Sequence, residues 1–167
     1  MKLFFKINIL ILILINPSIA IDKIVYLDFN YILSNSEKGK SIFKKFEEKN
    51  KNNIFELEKK ENILKSKEKD LEVKKNILSE KELNKQIEDL KVQIIQFKKD
   101  KEKLVQEFNI YKKKELSSLM KQINPIIAEY VKEKSIDLVL DKKNILIGKT
   151  SYDITQNIIE LVNTKLK

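Results

Sequence analysis

From about Ser36 to Lys134, single apolar residues are spaced along a chain that is otherwise lysine, glutamate, asparagine and glutamine. Those polar side chains favour a helix or are tolerated on its exposed face. Leucines recur at intervals of seven as Leu57, Leu64, Leu71 and Leu78. A second register runs Leu83, Leu90, Phe97, Leu104 and Tyr111, interleaved with Ile87, Ile94 and Phe108. A seven-residue apolar repeat predicts a coiled coil. Between the registers, Ser79-Glu80-Lys81-Glu82 carries the S-x-x-E pattern of a helix start. One unbroken helix over 36–134 would run roughly 150 Å, far from any core. The favoured reading is an antiparallel helical hairpin over 36–134 with its tip near 76–79, because two arms folded back bury both stripes.

The arms are unequal. Beyond Phe46 the positions that would complete the descending heptads are Asn53, Lys60, Lys67 and Lys74. One apolar residue per heptad makes a seam about half as dense as a stable two-stranded coil uses. The distal half is therefore expected to flex or splay. The ascending arm has two apolar positions per heptad, interrupted only by Lys101, and its aromatics read as packing residues. Pro125 is expected to bend that helix.

Short apolar segments flank the arm. Lys23-Ile24-Val25-Tyr26-Leu27-Asp28 predicts a strand buried on both faces, followed by a helical turn capped by Asp28 or Asn30. Ser34 and Glu37 are expected to form a capping box at the start of the first long helix. After the arm, Ile136–Asp141 predicts a strand, Lys142–Asn144 a turn, and Ile145–Ile147 the hairpin partner. Asp153, with Gln156, is expected to cap a final helix whose buried face is Ile154, Ile158, Leu161 and Val162. The fold class is thus mainly α with a small β-rich body, formed by 21–35 and 135–167. A body of about 50–60 residues with open strand edges is marginal alone, and a symmetric homo-oligomer would cover it.

The first twenty residues read as a secretory signal peptide: Lys2 and Lys6, an apolar run over Ile7–Ile15, then Ser18-Ile19-Ala20 with cleavage after Ala20. The run is shorter than the roughly 20 residues that span a bilayer. This implies export.

Composition narrows the chemistry. The chain has no Cys, His, Trp or Arg, which excludes Cys or His nucleophiles, an imidazole base and Cys/His zinc sites. No phosphate loop or dinucleotide fingerprint is present, so the reading is not an enzyme, with no cofactor and no metal. The arm holds 26 lysines against 19 acidic residues, so the positive surplus belongs to it. Lys112-Lys113-Lys114 reads as an exposed helix face, and export with no arginine argues against nucleic acid.

The two ends carry a resemblance. Lys23-Ile24-Val25-Tyr26-Leu27-Asp28 through Gly39-Lys40, and Ile136-Asp137-Leu138-Val139-Leu140-Asp141 followed by Asp153-Ile154-Thr155, resemble the opening and closing segments of the Skp/OmpH family of periplasmic chaperones. The resemblance implies a homotrimer whose barrel-like body is joined through Ile24, Val25, Tyr26, Leu27, Leu138, Val139, Leu140, Ile145 and Ile147. It also implies hairpin tentacles around a cavity, holding unfolded outer-membrane β-barrel proteins in the periplasm without ATP. The client-facing region is read as Leu57, Leu64, Leu71 and Leu78 with Lys67 and Lys74, although the hairpin's own seam competes for those leucines. The alternatives are a periplasmic coiled-coil structural protein, or one making weak contact with an anionic membrane surface. The latter should show a broad apolar face on a basic helix, and here the stripe is narrow.

Overall fold

The structure is a computed structural model describing residues 23–166; the expected signal peptide lies outside them. Strand β1 (Ile24–Leu27) runs into a short helix α1 (Phe29–Asn35), whose cap is Asp28: its carboxylate accepts from the Tyr31 amide at 2.8 Å. The long helices are α2 (Glu37–Lys74) and α3 (Glu80–Glu133). Strand β2 (Leu138–Asp141), two 3-10 turns (Lys142–Asn144 and Thr150–Tyr152) and helix α4 (Thr155–Lys165) complete the chain.

β1 and β2 pair in parallel, from Ile24 opposite Leu138 to Leu27 opposite Asp141. On the other edge of β1, Tyr26 bridges to Asp153, and the Ile154 amide donates to the Tyr26 carbonyl at 2.9 Å. Both edges of β1 are thus occupied, which agrees with the burial of Val25, Tyr26 and Leu27. The core lies where this sheet, α1, α4 and the base of the arm meet. Ile32, Leu119, Ile123, Ile158 and Val162 are fully buried there, with Ile42 and Phe46 closing the side toward the arm. Past Phe46 no residue of α2 is buried, so the next 28 residues to Lys74 project roughly 40 Å from the core.

The hairpin expected at 136–147 does not form. The Asp141 carboxylate accepts from the Lys143 amide at 3.1 Å and starts a 3-10 turn instead of reversing the chain. Ile145–Ile147 therefore crosses the body without strand pairing, and the body is less β-rich than its sequence suggests. The start of α2 also differs. Its cap is Ser36, which is fully buried and accepts from the Gly39 amide at 3.2 Å, whereas Ser34 lies inside α1 and donates to the Asn30 carbonyl at 2.9 Å. α4 starts one residue later than a direct Asp153 cap would place it. Asp153 still accepts from the Thr155 amide, at 3.0 Å, but Gln156 reaches forward to Glu160 rather than back. At the tip, Ser79 and Glu82 form the expected capping box. Pro125 sits inside α3, which continues across it.

Two backbone positions are sensitive. A Cβ on Gly39 would stand 1.7 Å from the Leu33 carbonyl oxygen, because α1 and the first turn of α2 touch backbone to backbone. Gly39→Ala should therefore cost about 2 kcal/mol or more in chemical denaturation. α3 ends with Ser135 at φ 49, the Ser135 amide bonded to Lys132 and the Ile136 amide to Val131. That is a helix terminator that favours glycine at the left-handed position. Ser135→Gly should stabilise the protein by about 0.5–1 kcal/mol in the same measurement.

Asp153 ties three segments together. Burial raises its pKa, but hydrogen bonds from Lys142 (2.7 Å) and Thr155 outweigh that and hold it below the usual aspartate range. A depressed carboxylate contributes stability that is complete above its unfolded-state pKa and is lost as pH falls through the lowered folded value. Asp153→Asn should remove this contribution, so a urea series from pH 6 down to about 2 should show a shallower loss of stability than wild type.

Candidate functional site

Two surfaces carry exposed apolar groups: the sheet side of the body and the arm. On the body, Ile24, Leu138 and Leu140 are exposed by 44%, 47% and 40%, and Leu146 and Ile147 by 97% and 89%. Val25 and Leu27 point into the core beneath α1 and α4, whereas Ile24, Tyr26, Leu138 and Leu140 share the opposite face of the pleat, on which Tyr26 alone is covered, by the chain passing at Gly148. Ile24, Leu140, Ile145, Ile147 and Tyr152 line an apolar cleft of about 570 Å³ over Tyr26. Gly148 lets the chain pass close over the Tyr26 ring, where a Cβ would stand 2.9 Å from Cε1, and the Tyr26 hydroxyl donates to the Lys149 carbonyl at 3.1 Å. Of the residues read as the assembly body, Val25, Tyr26 and Leu27 are buried within the chain, and Val139 and Ile145 are half-buried. Ile24, Leu138, Leu140 and Ile147 are open.

The base of the arm is locked by aromatics. Phe46 meets Phe43 and Tyr111 edge-on at 5.7 Å each and Phe108 at 6.5 Å. Lys49 lies over Tyr111 and Lys112 over Phe108. Desolvated edge-to-face pairs and cation–π contacts add directional attraction to simple burial. Farther out the seam thins. Leu57, Leu64, Leu71 and Leu78 are half-buried, with Leu64 beside Phe97 and Leu71 beside Leu90. Between these apolar rungs lie polar ones: Lys60 pairs with Asp100 at 3.1 Å and Lys67 donates to Gln93 at 2.6 Å. The amide of Gln96 and the ammonium of Lys60 together hold Asp100 below its ordinary pKa. Polar rungs fix the register of the two arms while leaving each contact with water.

Of the leucines singled out by their heptads, Leu64 and Leu71 thus sit in the seam, and Leu57 and Leu78 are half-buried. Apart from the heptad residue Ile87, which stays 37% exposed, and Phe43 and Met120 at the base, the open apolar side chains on the arm are others: Ile54, Phe55, Ile63, Val73 and Ile77 on α2 and at the tip, and Val92, Ile95, Val105 and Ile110 on α3. They fall outside the heptad positions and share no single face. A heptad count could not have picked them out, but subtracting the seam positions from the apolar list would have. Lys67 and Lys74 are exposed, as read.

Among the described residues, no group of acidic side chains is placed to hold a metal ion, and no helix is long and apolar enough to cross a membrane. No curated sequence matches the chain. A crystal structure of a candidate outer membrane chaperone (OmpH-like) from Caulobacter crescentus CB15 superposes with a TM-score of 0.81 at 17% identity, covering 87% of this chain and 86% of that one. At that identity the likeness speaks for the fold: a helical hairpin on a small mixed body. The profile of the family described as outer membrane protein (OmpH-like) matches residues 23–162. With nearly all of the described chain inside that match, this protein belongs to the OmpH-like outer membrane protein family.

Proposed function

We propose that this protein is an ATP-independent periplasmic holdase. Three copies join through their bodies, and unfolded outer-membrane β-barrel proteins are held in the cavity between the arms. The observation that carries this reading is the arm itself. It is a projecting hairpin with no buried residue beyond Phe46 on α2, bearing isolated apolar side chains among a surplus of lysines. A surface of that kind cannot grip one partner tightly at one point. It can make many weak apolar contacts, and their avidity retains a client that stays internally mobile. Lysines extend the reach toward acidic clients to about a Debye length, roughly 8 Å at physiological salt. Release then needs no nucleotide, because every contact is separately weak.

Trimerisation is supported by the uncovered sheet side of the body. The free edge of β2 and the exposed Leu146 and Ile147 resemble an interface cut open more than a solvated surface, and closing strands on each other around a symmetry axis removes the edges. Family membership and the OmpH-like neighbour support the chaperone role and the periplasmic location.

Native mass spectrometry of residues 21–167, alone and after dilution of a urea-unfolded outer-membrane β-barrel protein, tests both parts. The expected result is a trimer that takes up one client per assembly and suppresses its light scattering. A monomer or dimer would overturn the cavity. A trimer that leaves the client to aggregate would overturn the holdase.

A further inference from the structure

The two flanks of the distal seam differ in chemistry. Here α3 supplies apolar residues at both heptad positions, Leu83 and Leu90 at one, Ile87 and Ile94 at the other, while α2 supplies only Leu71, and Leu78 lies in the turn beyond its end. At the second α2 position stand Lys67 and Lys74, and both turn to one flank, where they line a polar cleft with Asp70, Gln86, Asp89 and Gln93. Lys67 is held there by its 2.6 Å bond to Gln93. Ile87 and Ile94 lie on the other flank, where α2 presents Glu68, Glu72 and Lys75 beside a single apolar side chain, Leu71. With Leu71, Leu83 and Leu90 they line an open groove of about 370 Å³ on the opposite flank, and Ile87 remains 37% exposed.

We propose that this groove is a client-docking site of the arm, taking aliphatic or aromatic side chains from an extended, unfolded polypeptide. The proposal rests on the holdase reading and names the place where it acts. A coiled-coil hole is shaped for a side chain, and the one here is closed only on its inner side, by Leu71, because the other α2 residues around it are Glu68, Glu72 and Lys75. The groove has room for a few side chains and no helix. An extended segment suits it, since such a segment presents apolar groups to one side and keeps polar groups on the other, the pattern of barrel strands. The rim carries both signs, Glu68 and Glu72 with Lys75 on α2, and Lys91 on α3. Acidic and basic neighbours of the inserted side chain are then both tolerated, so the site selects for apolarity rather than for a sequence.

The test is methyl NMR of the assembled protein labelled at isoleucine, titrated with a urea-unfolded outer-membrane β-barrel protein. Ile87 and Ile94 should shift or broaden first, ahead of Ile54 and Ile110, which are exposed but lie off the groove. In parallel, Ile87→Asn should weaken capture by about fivefold or more with an unchanged melting curve, and Ile110→Asn by less than about twofold. Equal responses at Ile87 and Ile110 would overturn the groove while leaving the holdase intact. So would a client-free protein in which the Ile87 methyl already touches a neighbouring arm. Failure of the unmutated protein to capture any client would overturn the holdase reading itself. If Ile87→Asn lowers the melting temperature, the methyl pattern of the unmutated protein decides.

Discussion

The parallel pairing of β1 with β2 governs the architecture. Two antiparallel strands can be joined by a tight turn, but two parallel strands need a crossover that carries the chain back to the starting end. In this protein the crossover has become the arm. α2 and α3 leave the body beside β1 and return beside β2, so the residues from Ser36 to Lys134 are an excursion between two strands that lie side by side. The clasp is reinforced at its entrance, where the Lys23 amide donates to the Asp137 carboxylate at 2.6 Å and the Lys23 ammonium to the Lys134 carbonyl at 2.8 Å. Closure entropy grows only with the logarithm of loop length, and helical arms are shorter still in effect. A long excursion is therefore compatible with a small body.

From that clasp outward, packing decays in steps. The base of α3 is anchored by the fully buried Leu119 and Ile123, the next turns by the Phe46 aromatic cluster, and the distal half by a seam of half-buried leucines alternating with polar rungs. Local opening free energy should follow the same order, lowest at the far end. Ser79 and Glu82 counter this at one point only, by capping the start of α3 and so defining where the chain turns. The rungs at Lys60 and Lys67 add little stability, being exposed, but they penalise any other register of the arms. A weak seam with a defined register is compatible with arms that yield to a client and return to the same pairing.

Much of the arm was legible from its sequence because the signals are local. A heptad repeat declares its own partner face, and an S-x-x-E tetrad declares a helix start within one turn. The hairpin, its tip and the contrast between its arms could all be read from residues close to one another. The body was less legible. The strand at 138–141 was visible, but its partner was not. An apolar run such as Ile145–Ile147 looks like any other strand until the Asp141 turn and the 26–153 bridge determine which edges remain. The same holds for the helix start at 36. Ser34 and Ser36 both precede acidic or glycine-containing turns, and only the close approach of Gly39 to Leu33 selects Ser36.

The sequence by itself determined that there would be a long two-armed coil, unequal in its arms, attached to a small apolar body. Those properties follow from periodicity and charge, which act over a few residues. Tertiary structure alone decided the parallel pairing of the two ends, the packing of Leu64 and Leu71 in the seam, and the turning of Lys67 and Lys74 to one flank. Each of these is a choice between surfaces of similar local preference. It is settled by which contacts become available once residues distant in sequence have met, from Lys67 with Gln93 to Ile24 with Leu138.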